Sequence, residues 1–242
     1  MKINVISSAK YADKDILRGS VPVVIDVLRA TTVMITAFEN GVRNIIPVLS
    51  PEEAFEIKNR LKHDVILGGE RDAEIIPGFD LDNSPYSYTV EMIKDKTLVM
   101  TTTNGTSAIR AASSAGDVFI AAFLNARAVA EELNNEVKDE VSLVCSGTNG
   151  NYTLEDGLCA GYIIDILKMY HDVELTDFAH LIHSFYLTSK ADVHEAVSKA
   201  KHYRVLKDKG FEEDLEFCFR MDESSIIPVF SEGVITKKQA KP

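Results

Sequence analysis

This chain is expected to fold as an α/β protein of three layers, α/β/α, with a mostly parallel central sheet and a C-terminal α+β elaboration from about residue 175. Three observations carry that expectation. Short apolar runs alternate with stretches of helical periodicity, the pattern of strands that feed crossover helices onto a covered sheet. The run Val23-Val24-Ile25-Asp26-Val27-Leu28-Arg29-Ala30-Thr31-Thr32 starts uninterrupted and apolar, as a strand buried on both faces does, then delivers an acid, a base and two hydroxyls where a helix should begin. Polar clusters follow the apolar runs at four places, as expected where the C-terminal ends of parallel strands gather along one edge.

Residues 1–6 read as a short strand. Past residue 32, Val33, Ala37 and Asn40, with Met34 and Phe38 alongside, keep helical spacing until Asn40-Gly41 stops them. A strand over 42–48 follows, with Pro47 marking an edge or an end. Ser50-Pro51-Glu52-Glu53 is a helix start, with a capping serine, proline at the first helical position and glutamate at the third; Ala54, Phe55, Ile57 and Leu61 continue it. Val65-Ile66-Leu67 is a strand that runs into Gly68-Gly69-Glu70-Arg71, and a long irregular loop then extends to Ser84-Pro85. Loops of that length inside compact domains tend to carry function.

A helix over 85–94, a strand over 97–101, a helix over 106–115 ending at Gly116 and a strand over 118–121 come next. Asn125 is expected to cap a helix reaching residue 134, with Val129 and Leu133 on one face. A strand over 141–145 and a helix over 156–170 complete the alternation. Beyond residue 175 the spacing predicts helices over 178–187 and 193–203, strands over 215–219 and 226–230, and a frayed tail over 237–242. No flexible linker precedes this part, so residues 1–242 are read as one domain.

The totals bound the function. With 45% hydrophobic and 26% charged residues this is an ordinary folded, soluble composition. A net charge of −11 argues against a nucleic-acid partner, which calls for a basic face. It also requires that any anionic ligand find a locally positive pocket inside a repulsive field. Cys145, Cys159 and Cys218 have no metal-ligand spacing and make no disulfide framework, which suits a reducing compartment. The opening residues are too brief for a signal peptide, and no apolar run approaches the ~20 residues that span a bilayer. The expectation is a cytoplasmic protein with no membrane partner, a homodimer being the default assembly on general grounds.

The four clusters are Asp26 with Arg29, Thr31 and Thr32; Gly69-Glu70-Arg71; Thr101-Thr102-Thr103-Asn104-Gly105-Thr106-Ser107; and Cys145-Ser146-Gly147-Thr148-Asn149-Gly150 with Glu155 and Asp156. The third is the best anion site, because unpaired N–H groups at a helix start point outward, the helix dipole favours negative charge and glycine permits close approach. The bland alternative is a tight Asn-Gly turn with a threonine cap. Asp26, Glu70 and Asp156 are the carboxylates expected to reach one another, and hard oxygen ligands with room for water and a phosphate suit Mg²⁺. Asp80 and Asp82 are second choices. Arg29 and Arg71 are natural clamps for planar oxyanions. Cys145, beside a glycine turn at a strand end, is either a nucleophile or an inert core thiol. No histidine falls in a polar cluster, and Arg110 and Arg127 are expected at the surface.

Other phosphate-handling signatures are absent. There is no G-x-x-x-x-G-K-[ST] loop and no G-x-G-x-x-G after a strand, Leu28 stands where a dehalogenase-type phosphatase would place a second aspartate, and Asn151 stands where a tyrosine-phosphatase loop would place arginine.

In this order the clusters resemble the 2-phosphosulfolactate phosphatase family of coenzyme M biosynthesis. The residues that carry the resemblance lie between about 23 and 160: Val24-Ile25-Asp26-Val27-Leu28-Arg29-Ala30-Thr31-Thr32, Gly69-Glu70-Arg71, Pro77-Gly78-Phe79-Asp80-Leu81 with Asn83-Ser84-Pro85, Thr101-Thr102-Thr103-Asn104-Gly105-Thr106, Leu124-Asn125-Ala126-Arg127, and Cys145 with Gly147-Thr148 and Glu155-Asp156. Asp82 departs from the glycine expected in this family's loop. The resemblance implies a Mg²⁺-dependent phosphatase that converts 2-phospho-3-sulfolactate to 3-sulfolactate and phosphate; it does not say which carboxylates bind the metal. From the residues, the metal is placed at Asp26, Glu70 and Asp156, the acid groups at Arg29 and Arg71, and the phosphate at Thr102 to Ser107, with Gly147 and Thr148 nearby. Direct attack by activated water and a covalent route through Cys145 or Asp26 both stay open. So do a metal-free binding module for an anionic metabolite and a phosphatase for another phosphorylated hydroxy acid.

Overall fold

The computed structural model describes residues 1–136, 139–170 and 172–238. Its strands are β1 (Lys2–Ile6), β2 (Val21–Ile25), β3 (Asn44–Pro47), β4 (Val65–Arg71), β5 (Glu74–Ile75), β6 (Thr97–Thr101), β7 (Val118–Ala121), β8 (Glu140–Cys145), β9 (Glu174–Leu175), β10 (Pro228–Ser231) and β11 (Val234–Lys237). Among the described residues they form one sheet in the order β5-β4-β6-β3-β11-β10-β7-β2-β8-β1-β9. The helices are α1 (Ala30–Glu39), α2 (Pro51–Leu61), α3 (Val90–Ile93), α4 (Gly105–Ala112), α5 (Ala126–Glu136), α6 (Leu154–Tyr170), α7 (Asp177–Ser189), α8 (Val193–Ser198), α9 (Lys201–Asp208) and α10 (Glu212–Cys218).

Strand β2 shows how the layers arise. Successive side chains on a strand point to opposite faces. Val23 and Ile25 enter one core with Val129 and Leu133 of α5 and Ile163 of α6, whereas Val24 enters a second with Val33 and Ala37 of α1 and Ile109 of α4. All three β2 residues are wholly buried, each contributing about 1.5–3 kcal/mol of apolar burial. The expected three layers, α/β/α, are what the chain forms.

The sheet has two parallel halves. β9, β1, β8, β2 and β7 run one way, with Ile25 paired to Cys145 and Val24 to Ile120; β3, β6 and β4 are parallel to one another. Between the halves lies the hairpin β10–β11, antiparallel to both its neighbours. An antiparallel hairpin with antiparallel contacts on either side reverses the second half relative to the first. The strand ends therefore do not share one edge, as expected from a single parallel sheet. They face each other: a Cβ on Gly105, four residues past β6, would lie 2.7 Å from Asp26 Oδ2, just past β2.

Several local expectations are corrected. Residues Gly68 to Arg71 belong to β4, and the loop after it includes β5. The stretch 85–94 is a 3-10 turn and the single-turn α3. Asn125 does not cap forward; its amide turns back, accepting from Ala122 N and donating to Ile120 O and Ile226 O. With the Arg127–Asp222 pair, it ties the C-terminal segment to the end of β7. The helix over 193–203 is broken at Ala200 into α8 and α9. Residues 215–219 are in and just after α10 rather than a strand: three acids in its first turn favour a helix N-terminus, overriding the alternation of Leu215, Phe217 and Phe219. Of the expected tail, Lys237 ends β11, and 239–242 lie outside the described residues. Among the described residues no helix is long and apolar enough to cross a membrane.

Candidate active site

Asp26 stands where β2 stops, held there by its neighbours' hydrogen bonds. Thr31 Oγ1 accepts from Asp26 N at 3.0 Å and donates to Asp26 O at 2.8 Å, and Thr32 Oγ1 donates to Val27 O at 2.9 Å. Both threonines are buried and spend their hydroxyls on this turn, so they shape the site without lining it. The Asp26 carboxylate accepts from Ala30 N, the first residue of α1, at 3.3 Å. Burial, reinforced by the negative charges of Asp156 and Glu70, pushes its carboxyl up to about 8. The Leu28–Arg29 peptide is cis.

Asp26 opens into a cavity of about 830 Å³ between the ends of the two sheet halves. From the second half comes Glu70, in β4, which accepts from Thr103 N at 2.8 Å, Ala73 N at 2.9 Å and Thr103 Oγ1 at 3.2 Å. This carboxylate thus fastens the turn after β6 to the β4–β5 hairpin. The same turn is closed by reciprocal bonds, Thr106 N to Thr102 Oγ1 at 3.1 Å and Thr102 N to Thr106 Oγ1 at 3.2 Å. Thr102, Thr103 and Asn104 line the cavity at the N-terminus of α4; Thr106 is buried beneath it, and Ser107 faces solvent. Asn149 N donates to Asn104 Oδ1 at 3.1 Å, so the two Thr-Asn-Gly turns meet at the cavity wall, where Thr148 also lies. Gly69 allows β4 to approach β6: at φ +138° it has no side chain, and a Cβ there would sit 1.9 Å from Thr101 O.

Asp156 is buried and its carboxylate is fully engaged. It accepts from Val27 N at 2.9 Å, Gly147 N at 3.1 Å, Ser146 Oγ at 3.2 Å and Thr153 Oγ1 at 2.8 Å. Its role is to lock the end of β2 to the turn after β8. Gly147 contributes that N–H rather than a cavity surface. Glu155 does line the cavity; burial and the charge of Asp156 push it up to about 8, and its Oε2 has no hydrogen-bond partner.

The two arginines part company. Arg71 follows Glu70 on a strand, and alternation sends it to the other face, where it donates to Leu49 O, Glu70 O and Thr101 Oγ1. It does not reach the cavity. Arg29 does, although it is only 2% exposed; its Nη1 meets Asp214 Oδ2 at 2.5 Å and its guanidinium stacks 4.1 Å from the Phe211 ring centre. Asp214 also accepts from Ser84 Oγ at 2.7 Å. Asp80 and Asp82 serve locally, the first accepting from Leu67 N and Lys58, the second from Ser84 N and Ser87 Oγ.

Cys145 is wholly buried, and burial together with the Asp156 charge pushes its thiol well above its ordinary value. A neutral, enclosed thiol is a poor nucleophile. Cys145→Ala is therefore expected to keep kcat within about threefold of the parent while lowering stability by roughly 1 kcal/mol, read by phosphate release and a thermal melt.

Among the described residues no group of three or more His, Cys, Asp and Glu side chains is arranged to hold a metal ion, so Asp26, Glu70 and Asp156 do not form the expected ligand trio. The Asp156 carboxylate accepts from four donors and the Glu70 carboxylate from three. Sequence reasoning also missed part of the wall: Lys199, from the break between α8 and α9, and Lys201 and His202, at the start of α9, line the cavity. The one signal for them was a basic run, Lys199-Ala200-Lys201-His202, in an acidic chain.

Carboxylates, a helix N-terminus and basic side chains around one cavity define an α/β protein with a pocket that fits a small anionic substrate. The chain belongs to the 2-phosphosulpholactate phosphatase family, whose model matches residues 7–233. It is 45% identical over 237 residues to a probable 2-phosphosulfolactate phosphatase of Clostridium novyi, covering 98% of this chain and 100% of that one. It is similar to proteins of the same description in Caldicellulosiruptor saccharolyticus (46% over 242 residues; 98% and 100% covered) and Clostridium perfringens (47% over 238 residues; 97% and 96%).

Proposed function

We propose that this protein is a phosphoric monoester hydrolase that converts 2-phospho-3-sulfolactate to 3-sulfolactate and phosphate with the help of Mg²⁺. The observation that carries this reading is that Asp26, Glu70, Arg29 and the start of α4 all bound one cavity in a chain of net charge −11. Mg²⁺ keeps most of its water and is usually held by one or two carboxylates plus substrate phosphate rather than by an all-protein cage. Asp26 and Glu70 suit such a partial set, the former because a carboxylate buried beside two others gains most from a neighbouring cation. When bound, the ion supplies charge neutralisation at the phosphate and activation of water.

The chain's own groups do the rest. The N–H groups opening α4 receive phosphate oxygens without adding charge to a buried site. Asn104 is fixed by Asn149, and Glu70 holds Thr103, so these donors need little rearrangement when the ester arrives. Arg29, with one nitrogen committed to Asp214, offers its remaining donors to the carboxylate of the substrate.

Phosphate release from 2-phospho-3-sulfolactate tests the reading against p-nitrophenyl phosphate, which has neither acid group. The expected kcat/KM ratio favours the former by roughly a hundredfold or more. Equal rates would remove the substrate assignment.

A further inference from the structure

We infer that α9 reads the acid group farthest from the phosphate, and that Lys201 binds the sulfonate of the substrate. The inference rests on the phosphosulfolactate reading and adds to it the element that selects the substrate.

α9 spans the gap between the two halves of the sheet and is fastened at both ends. At its start His202 Nε2 donates to Leu28 O at 2.9 Å, just beyond β2. At its end Lys209 Nζ donates to Asp72 O and to Glu74 Oε1, both at 2.8 Å, on the β4–β5 hairpin. The helix therefore bridges the two halves beside the cavity, and Lys201, His202, Val205, Leu206 and Lys209 line the wall. A carbonyl oxygen only accepts, so Nε2 carries the His202 proton. Burial lowers the basicity of this imidazole, which makes it an anchor rather than a charge.

The cations on the cavity wall are Arg29, Lys199, Lys201 and Lys209. Arg29 is paired with buried Asp214, Lys209 with Glu74, and Lys199 with Glu195 at 3.6 Å. Lys201 makes no ion pair and no side-chain hydrogen bond with any described residue. It is the one full positive charge on this wall without a counter-ion among the described residues, and it faces a hollow that also holds Asp26, Glu70 and Glu155. A sulfonate is a strong acid that stays ionised at any working pH, with three equivalent oxygens on a tetrahedral sulfur. An ammonium with three rotatable donors matches that shape, whereas a guanidinium fork matches the planar carboxylate. The acids then sort by geometry: carboxylate to Arg29, sulfonate to Lys201, phosphate to the α4 side.

The test compares two substrates, 2-phospho-3-sulfolactate and 2-phospholactate, which differ only in the sulfonate. Kinetics are measured on the parent protein, Lys201→Met and Lys201→Arg, all with Mg²⁺ present. For the sulfonated ester, Lys201→Met is expected to lose roughly tenfold to a hundredfold in kcat/KM, mostly through KM, as for one charge-assisted contact. For 2-phospholactate the same variant should stay within about twofold, and Lys201→Arg, which keeps the charge but not the shape, should restore part of the loss. Lys201 is exposed at the helix start, so matching melting curves are expected for all three proteins. An equal loss on both substrates, or none on the sulfonated one, overturns the role of Lys201. A parent protein that hydrolyses neither substrate overturns the proposed function itself, and the inference with it.

Discussion

Asp26→Asn should cut kcat by about a thousandfold while leaving the fold intact. The reasoning separates what the main chain of this residue does from what its carboxylate does. The bonds that set the β2–α1 turn run from Thr31 to the Asp26 backbone. The bond from Ala30 N goes to Oδ1, an atom that asparagine keeps, and Ser146 is the other hydrogen-bond partner of this side chain. What asparagine lacks is the charge, and that charge is costly in the protein alone, because burial and the fields of Asp156 and Glu70 oppose it. The variant should therefore melt at the parent temperature or slightly above it. The lost activity follows from the proposed function: an amide is a poor substitute for a carboxylate at a divalent cation, and such an ion is worth several kcal/mol in phosphoryl chemistry, each ~1.4 kcal/mol being tenfold in rate. Chelation of the parent protein should give a comparable drop, reversed by adding Mg²⁺. If Asp26→Asn retains a tenth of the parent kcat, or if turnover ignores the chelator, Asp26 has no such role.

Much of the framework could be read from local pattern. The wholly apolar Val23-Val24-Ile25 announced a strand covered on both faces, and Ser50-Pro51 announced a helix whose serine does accept from Glu53 N at 3.2 Å. Thr103-Asn104-Gly105 and Thr148-Asn149-Gly150 repeat one tripeptide in the sequence, and the two turns do touch. What could not be read depends on contacts between distant segments. The reversal of one half of the sheet comes from a hairpin over 228–237 pairing with strands that end at residues 47 and 121. No periodicity within either segment encodes that pairing. Arg71 was misplaced for a simpler reason: once Gly68 to Arg71 continue the strand, neighbours must point to opposite faces. Asp156 looked like a ligand because sequence shows a carboxylate but not the four donors that fill it. Lys201 and His202 line the cavity and Asp214 pairs with Arg29 at its wall, yet all three lie outside the stretches between about 23 and 160 that carry the family resemblance.

Gly105→Ala is the second substitution expected to have a large effect, and it tests whether the two sheet halves must meet as closely as they do. A Cβ at residue 105 would sit 2.6 Å from Ala30 Cβ and 2.7 Å from Asp26 Oδ2. Neither neighbour can swing aside. Ala30 is the buried first residue of α1, with no rotamer to change, and the Asp26 carboxylate is tethered by that same residue's N–H. Relief must come from backing α4 away from α1, against the packing of Ala108, Ile109 and Ala112 in the core they share with Val33 and Ala37. Overpacking of this kind costs about 1–3 kcal/mol, visible as a lower melting temperature. The catalytic loss should be larger, about a hundredfold in kcat/KM, because the donors at the start of α4 move relative to Asp26 by a distance on the order of 1 Å. The ratio of the two effects is the informative quantity. A variant that loses stability but stays within a few-fold of parent activity would mean that phosphate is not held between α4 and Asp26. A loss in rate far exceeding the loss in stability is what a site assembled across that contact requires.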